Sequence, residues 1–344
     1  LNLGVRSTYS DWVLGLIDNK DFEKSSVSFH DIVGKYSHKF NDKNTLKLTG
    51  YYSHDKYQIA SDTINTYGNT MFSLNWKHQF NEKHHGNLIL SNSSYGFDID
   101  YKNENTTNGF FLNYKINETN LKLKLKYDYS KSHKFTYGLE SKLYNISPGN
   151  IVPNGDNSEV IPLTIRDERA LENGLFISDE INVSPKLNFN LGLRFNQYLA
   201  LGPSTQREYE ANRPKNQSTL VNSTDYGNNE VFQTYNGLSY RLATRYELSE
   251  SLSLKASFNK SFQYIHRLNN NTTATPVDTW RLSDTNIKPQ EGSQISLGLF
   301  KNFNDDQYEM SLEGYYKKYK NLLDYKVGAT LLLNDQVETQ VIQG

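Results

Sequence analysis

Large apolar residues occupy every second position through most of this chain, in segments joined by short polar turns. In 187–196, Leu187, Phe189, Leu191, Leu193 and Phe195 alternate with Asn188, Asn190, Gly192, Arg194 and Asn196. A strand sends successive side chains to opposite faces, so such a segment has one greasy face and one polar face. The same pattern recurs in Leu121, Leu123, Leu125 and Tyr127, in Leu238, Tyr240, Leu242 and Tyr246, and in Leu252, Leu254, Ala256 and Phe258. It recurs again in Ile295, Leu297 and Leu299, and in Tyr308, Met310 and Leu312. Three charges fall out of phase: Asp179, Lys260 and Lys301. A bulge or interfacial snorkelling would absorb them. The period-2 reading predicts about thirteen strands.

The connections alternate in length. Tight turns fall at Asn41-Asp42-Lys43-Asn44, Asn81-Glu82-Lys83-His84, Ser130-Lys131-Ser132-His133, Ser184-Pro185-Lys186, Ser249-Glu250-Ser251 and Asn304-Asp305-Asp306. Between them lie longer polar connections near 61–70, 102–108, 149–169, 201–236, 266–291 and from 326 onward. Short turns on one side and long loops on the other are the habit of transmembrane barrels. The expected fold is therefore all-β, a transmembrane antiparallel up-and-down β-barrel. Leu191, Leu193, Leu252, Leu254, Leu297 and Leu312 should face lipid, and Asn190, Ser253, Ser296 and Glu313 the lumen.

Composition sharpens this. At 344 residues, 36% hydrophobic and 22% charged, with a mean hydropathy of −0.72, no run approaches the ~18–20 apolar residues of a membrane helix. A barrel strand needs only about 9–11 residues, half of them inward, so a barrel stays allowed. The 25 Tyr and 17 Phe suit interfacial girdles, and also ordinary strands. A net charge of −1 without a basic stripe argues against nucleic-acid binding, and the absence of cysteine removes disulfide and thiol chemistry.

Several motifs go beyond a generic barrel. Leu3-Gly4-Val5-Arg6-Ser7-Thr8-Tyr9-Ser10-Asp11, Asp31-Ile32-Val33-Gly34-Lys35-Tyr36 and Leu48-Thr49-Gly50-Tyr51-Tyr52-Ser53-His54-Asp55 occur in that order. Leu175-Phe176-Ile177-Ser178-Asp179-Glu180 and Leu191-Gly192-Leu193-Arg194-Phe195 follow, then Ala256-Ser257-Phe258-Asn259-Lys260-Ser261-Phe262. Ile287-Lys288-Pro289-Gln290-Glu291, Ile295-Ser296-Leu297-Gly298-Leu299 and Glu313-Gly314-Tyr315-Tyr316-Lys317-Lys318-Tyr319-Lys320-Asn321-Leu322-Leu323 close the series. This order resembles the barrel of TonB-dependent outer-membrane receptors of the SusC-like kind, over nearly the whole chain. The resemblance implies an outer-membrane active transporter of a Gram-negative bacterium. Its partners would be membrane lipid, an extracellular ligand such as a siderophore, glycan or peptide, and a TonB complex acting through a plug domain and TonB box. A surface lipoprotein lid would accompany glycan import. Plug, TonB box, signal peptide and terminal aromatic-ended strand have no counterpart in these residues. Plugged transporters have roughly twenty-two strands, so 1–344 is expected to be part of one larger barrel domain, unable to close alone.

No Gly-x-Ser-x-Gly, His-Glu-x-x-His or phosphate-binding Gly-rich loop occurs, and no enzyme, cofactor or metal is expected. His84-His85 reads as a solvated turn pair, since neighbours on a strand point apart. Ligand-binding candidates sit on the long connections: Arg207, Tyr209, Arg213 and Tyr226 on one, His266, Arg267, Trp280 and Arg281 on the next. Planar donors and aromatic faces there suit a polar or sugar-like solute; a solvated loop has the same composition.

Overall fold

The computed structural model describes residues 1–9, 25–59, 61–102, 106–268, 278–305 and 307–344. Its wall consists of β1 (Asn2–Tyr9), β2 (Ser26–Asn41), β3 (Asn44–Gln58), β4 (Thr63–Gln79), β5 (His84–Tyr101), β6 (Phe110–Asp128) and β7 (His133–Pro153), with β8 (Leu163–Thr164) a short addition to β7. The wall continues through β9 (Glu168–Ser184) and β10 (Leu187–Leu201). After β11 (Ser204–Tyr209) and β12 (Leu220–Tyr226), which pair only with each other, come β13 (Val231–Ser249) and β14 (Leu252–Gln263). A second separate pair, β15 (Ile265–Leu268) and β16 (Thr279–Leu282), precedes β17 (Gln290–Phe303) and β18 (Tyr308–Lys320); β19 (Leu323–Tyr325) and β20 (Val341–Gln343) form a third.

The sheet is antiparallel and follows chain order from β1 to β18, with the three hairpins set aside. Thirteen strands therefore form the path, as the periodicity predicts. Among the described residues β1 and β18 each pair with one neighbour only, so the sheet is open.

Alternation sorts the two faces as expected. Leu191 stands opposite Leu242, Leu242 opposite Phe258, Phe258 opposite Ile295 and Ile295 opposite Tyr316. All five are exposed, forming a continuous outward apolar row. The intervening positions carry charge inward. Arg194 reaches Glu140 at 2.8 Å and Glu172 at 3.7 Å, and Lys122 reaches Glu140 at 3.3 Å.

The out-of-phase charges are tied down. His133 Nδ1 lies 2.7 Å from Asp179, Lys260 pairs with Glu291 at 3.1 Å, and Lys301 donates to Ser251 Oγ at 2.7 Å beside the tight turn. Pairing, with snorkelling for Lys301, resolves them. The register shifts fall elsewhere, at sites such as Ala200/Leu201 and Glu247/Ser249.

Strands run further than the pattern suggests. β6 and β7 have 19 and 21 residues, about twice a membrane crossing. Residues 61–70, expected as a connection, are largely the start of β4. That stretch is Thr- and Asn-rich with small residues, so neither face shows an apolar period although the backbone pairs along its length. Likewise 149–169, 201–236 and 266–291 contain strand ends and hairpins. Ser10 and Asp11 of the first motif, the turn residue Asp306, and 103–105 and 269–277 of two connections lie outside the described residues.

Toward the long-loop end the phase inverts. In β6 the outward Leu121, Leu123 and Leu125 give way to inward Leu112 and Tyr114; in β10 Phe195 gives way to Tyr198 and Ala200. Phe97 on β5 and Tyr144 and Ile146 on β7 join them, and with Tyr264 and Leu282 they form the main core. The greasiest buried surface thus sits on the lumen side, above the belt.

Candidate functional site

That inner aromatic surface holds down the long loops. The Tyr114 hydroxyl donates to Trp280 O at 2.9 Å and accepts from Trp280 N–H at 2.7 Å. Tyr198 OH donates to Ser283 O at 2.8 Å, and its ring stacks on Tyr264 at 4.6 Å. Tyr235 OH donates to Asp284 O at 2.7 Å. These residues come from wall strands whose register is fixed by long ladders, so β16 and the turn after it are seated on rigid supports. Buried polar groups in a hairpin need such partners, because an unmade hydrogen bond costs about 1–3 kcal/mol.

The loops also bind one another. Glu168, at the start of β9, pairs with Arg281 and accepts Leu282 N–H at 2.7 Å, while Arg281 Nη1 donates to Asn334 O at 2.9 Å. Arg207 on β11 meets Asp335 at 2.8 Å and Glu338 at 3.4 Å, and its carbonyl accepts Asn286 Nδ2 at 2.8 Å. Tyr209 OH donates to Glu338 at 2.9 Å, and Lys215 Nζ to Asn286 O at 2.9 Å. Four segments far apart in sequence are thereby laced into one cap over the lumen face of the loop side.

Between them lies a cleft of about 370 Å³, lined by Arg166, Glu168, Arg207, Arg281, Asp284 and Glu338 among others. Its charges are mixed and largely satisfied within the cap. Burial pushes the Asp284 carboxyl up to about 6, against the backbone N–H groups of Ile287 and Asn286 that it accepts at 2.7 Å. Burial likewise lowers Lys215. His266 is fully buried; its Nε2 lies 2.8 Å from Ser283 Oγ, its Nδ1 has no partner, and burial lowers it to about 4.

The structure therefore separates the sequence candidates. Arg207 and Arg281 line the cleft, Tyr209 adjoins it through Glu338, and His266 and Trp280 sit behind it as supports. Arg267 pairs with Asp278 at 3.6 Å and takes Tyr325 OH on its carbonyl. Arg213 pairs with Glu210 on the exposed surface, and Tyr226 packs on Phe232 at 5.5 Å. Glu168, Asp335 and Glu338 escaped sequence reasoning: Glu168 stands 113 residues from Arg281, and Asp335 and Glu338 stand 128 and 131 residues from Arg207, so no local spacing marks them. His84 is no loose turn residue: it stacks on Phe80 at 4.7 Å and meets Tyr137 OH at 3.0 Å. Among the described residues no group of three or more His, Cys, Asp or Glu could hold a metal ion.

The open antiparallel wall, its outward belt and its one-sided cap define a membrane β-barrel wall. The chain belongs to the TonB dependent receptor-like β-barrel family, whose model matches residues 4–344. This is a family of outer-membrane transporters of Gram-negative bacteria. Among solved structures it resembles the hemophore receptor HasR of Serratia marcescens, with 12% identity and a TM-score of 0.65 over 94% of this chain and 51% of that one. The copper transporter OprC is similar at 10% identity and TM-score 0.62, over 89% and 47% of the two chains. P. aeruginosa FpvA, solved with bound pyoverdines, is similar at 13% identity and 0.61, over 88% and 43%. The chain spans about half the length of these receptors. The matches establish the barrel family and do not single out the SusC-like branch. No curated protein matches.

Proposed function

We propose that this chain forms wall and outer cap of an outer-membrane importer, which captures an extracellular nutrient and passes it inward with energy supplied through TonB. The observation that carries this reading is the pairing of an outward apolar belt with a loop cap on one side only, folded over the lumen face around a polar cleft. Barrel convention puts short turns in the periplasm and the cap outside. Within this reading, residues 1–344 are part of one barrel domain, and a plug domain occupies the lumen against the Lys122–Glu140–Arg194–Glu172 network.

Arginines and carboxylates around a 370 Å³ cleft fit a compact polar solute offering both donors and acceptors. The structural neighbours take a heme-carrying hemophore, copper and pyoverdines, which makes a metal-chelate cargo the first to test. Outer-membrane lipid surrounds the belt, and a surface lipoprotein lid joins where the cargo is a glycan. No step of this reading calls for catalysis.

Excising residues 204–226 from the complete receptor, with a short Gly-Ser bridge, should leave it inserted in the membrane. Uptake of labelled ferric siderophore, haem or copper, whichever the intact receptor carries, should be lost. A passive pore would behave otherwise: its uptake would persist in cells whose inner-membrane energy is collapsed, and that result would overturn the proposal.

A further inference from the structure

The lumen face of the wall carries an unbalanced block of lysine at its short-turn end, below the Lys122–Glu140–Arg194–Glu172 network. Strand register places its members. Lys47 stands opposite Asn75, and Thr45 opposite Lys77. Lys77 stands opposite Asn87, Asn87 opposite Lys124, and His85 opposite Lys126. Leu46, Trp76, Leu88 and Leu123 form the adjoining row on the lipid side, so alternation sends the lysines inward. Two strand spacings of about 4.8 Å separate Lys77 from Lys124, and Lys126 lies two positions further along β6, so these charges stand about 7–10 Å apart.

Lys43, Lys77, His85, Lys124 and Lys126 line a hollow of about 490 Å³. The carboxylate that lines it, Asp42, is taken by Lys39 at 2.6 Å. Glu140 above is taken by Lys122 and Arg194, and Asp128 at the foot of β6 stands opposite Lys134. Among the described residues Lys47, Lys77, Lys124 and Lys126 make no ion pair. The sign is local to this sector, since the lumen face of β18 carries Glu309 and Glu313 instead. Residue type separates this block from the cap, where Arg207 and Arg281 are locked onto carboxylates. Arginine clamps with a planar fork, whereas an ammonium is a hydrated point charge on a flexible stem that exchanges partners readily. A path that a solute must leave needs several weak sites, not one tight one.

We propose that this lysine block is an exit ramp for the cargo, and that the cargo is a metal chelate bearing two or more free carboxylates. The positive hollow raises the local concentration of such an anion at the periplasmic mouth and passes it from one ammonium to the next. Cargo released from the cap is drawn past the charge-balanced network toward the short turns. A neutral or cationic chelate gains nothing from this surface. The inference rests on the importer reading and narrows its cargo.

The test uses the complete receptor in energised cells that lack other routes for iron. The probes are radiolabelled ferric citrate and haem, which carry free carboxylates, and a ferric trihydroxamate without them. Wild-type receptor should import a carboxylate-bearing probe and not the trihydroxamate. Lys77→Gln, Lys124→Gln and Lys126→Gln together should slow that import about tenfold, while binding of the same probe to cells with collapsed energy stays unchanged. Replacing the same three lysines by arginine keeps the charge, and import should fall between the two. A wild-type import rate in the glutamine variant would overturn the ramp, as would loss of surface binding in step with import. Slower import joined by new entry of a bulky antibiotic would mark the lysines as the seat of a fixed acidic partner, and would overturn the ramp too. Energised import of the trihydroxamate, or of neither carboxylate-bearing probe, overturns the anionic cargo alone. Import that survives energy collapse overturns the importer reading itself.

Discussion

The lower and upper halves of the same strands follow one period with opposite phase. On β10, Leu191, Leu193 and Phe195 are outward and exposed, while a few residues on Tyr198 and Ala200 are inward and buried. On β6, Leu121 is outward while Tyr114 and Leu112 are inward. Nothing in the backbone changes, since the ladders run through with only local register shifts. What changes is the surroundings of each face. In a bilayer the outside is apolar and the lumen can be wet; above it, the outside is wet and the folded loops give the inside its apolar contact. Period 2 therefore identifies a strand, and its phase identifies which side excludes water.

The contrast is broken most strongly at the upper core. Tyr198 is fully buried, stacked on Tyr264 and bonded to Ser283 O, so Tyr198→Ala should cost about 3–5 kcal/mol of cap stability, in the range of large-aromatic truncations. Hydrogen–deuterium exchange of 278–289 should accelerate sharply while the β10–β13 ladder below stays protected. Unchanged exchange in 278–289 would mean that the cap does not depend on the inverted face.

The lower half gives the mirror-image experiment. Leu191→Arg places a charge on the lipid face near mid-strand and should cost about 2–4 kcal/mol, whereas Asn190→Arg, one residue away on the lumen face, should cost little. Urea unfolding in lipid vesicles measures both. Equal losses would show that the two faces are not distinguished at this depth.

These two halves were unequally legible in the sequence. Leucines alternating with Lys, Asn and Ser over 121–129 or 187–196 signal a half-apolar strand directly. Tyr95, Phe97 and Ile99, or Leu112 and Tyr114, alternate just as well, but their phase opposes that of the belt and they adjoin polar stretches that look like loop. Thr63 to Thr70 lacks any apolar period, because its outward positions include Thr66, Gly68 and Thr70. The cap was legible only as polar loop. Arg207 and Arg281 stand out by residue type, yet their role depends on Glu338 and Glu168, more than 100 residues away in each case. Long-range pairing of this kind leaves no period in a single sequence.

The smallest effect expected is a pH response confined to the upper half, where two buried groups pull in opposite directions. His266 is lowered to about 4 from an ordinary 6.5, so the unfolded cap binds the extra proton between those values. Its contribution is fully present above pH 6.5 and is lost as pH falls toward 4. Asp284 is raised from 3.8 to about 6, so its contribution is fully present below 3.8 and is lost as pH rises through 6. Between roughly pH 4 and 6 the two oppose each other. His266 should prevail, because it is completely buried with an unpartnered Nδ1, whereas Asp284 keeps some solvent contact and two backbone N–H donors. Exchange of 278–289 should therefore quicken modestly, after correction for intrinsic chemistry, as pH drops from 7 to 5. His266→Gln should remove that acid-side loss, or reverse it by exposing the Asp284 contribution alone. The belt strands should show no such dependence in the same samples. A response of equal size in 187–195 would mean that acid loosens the whole wall, and the assignment to His266 would fail.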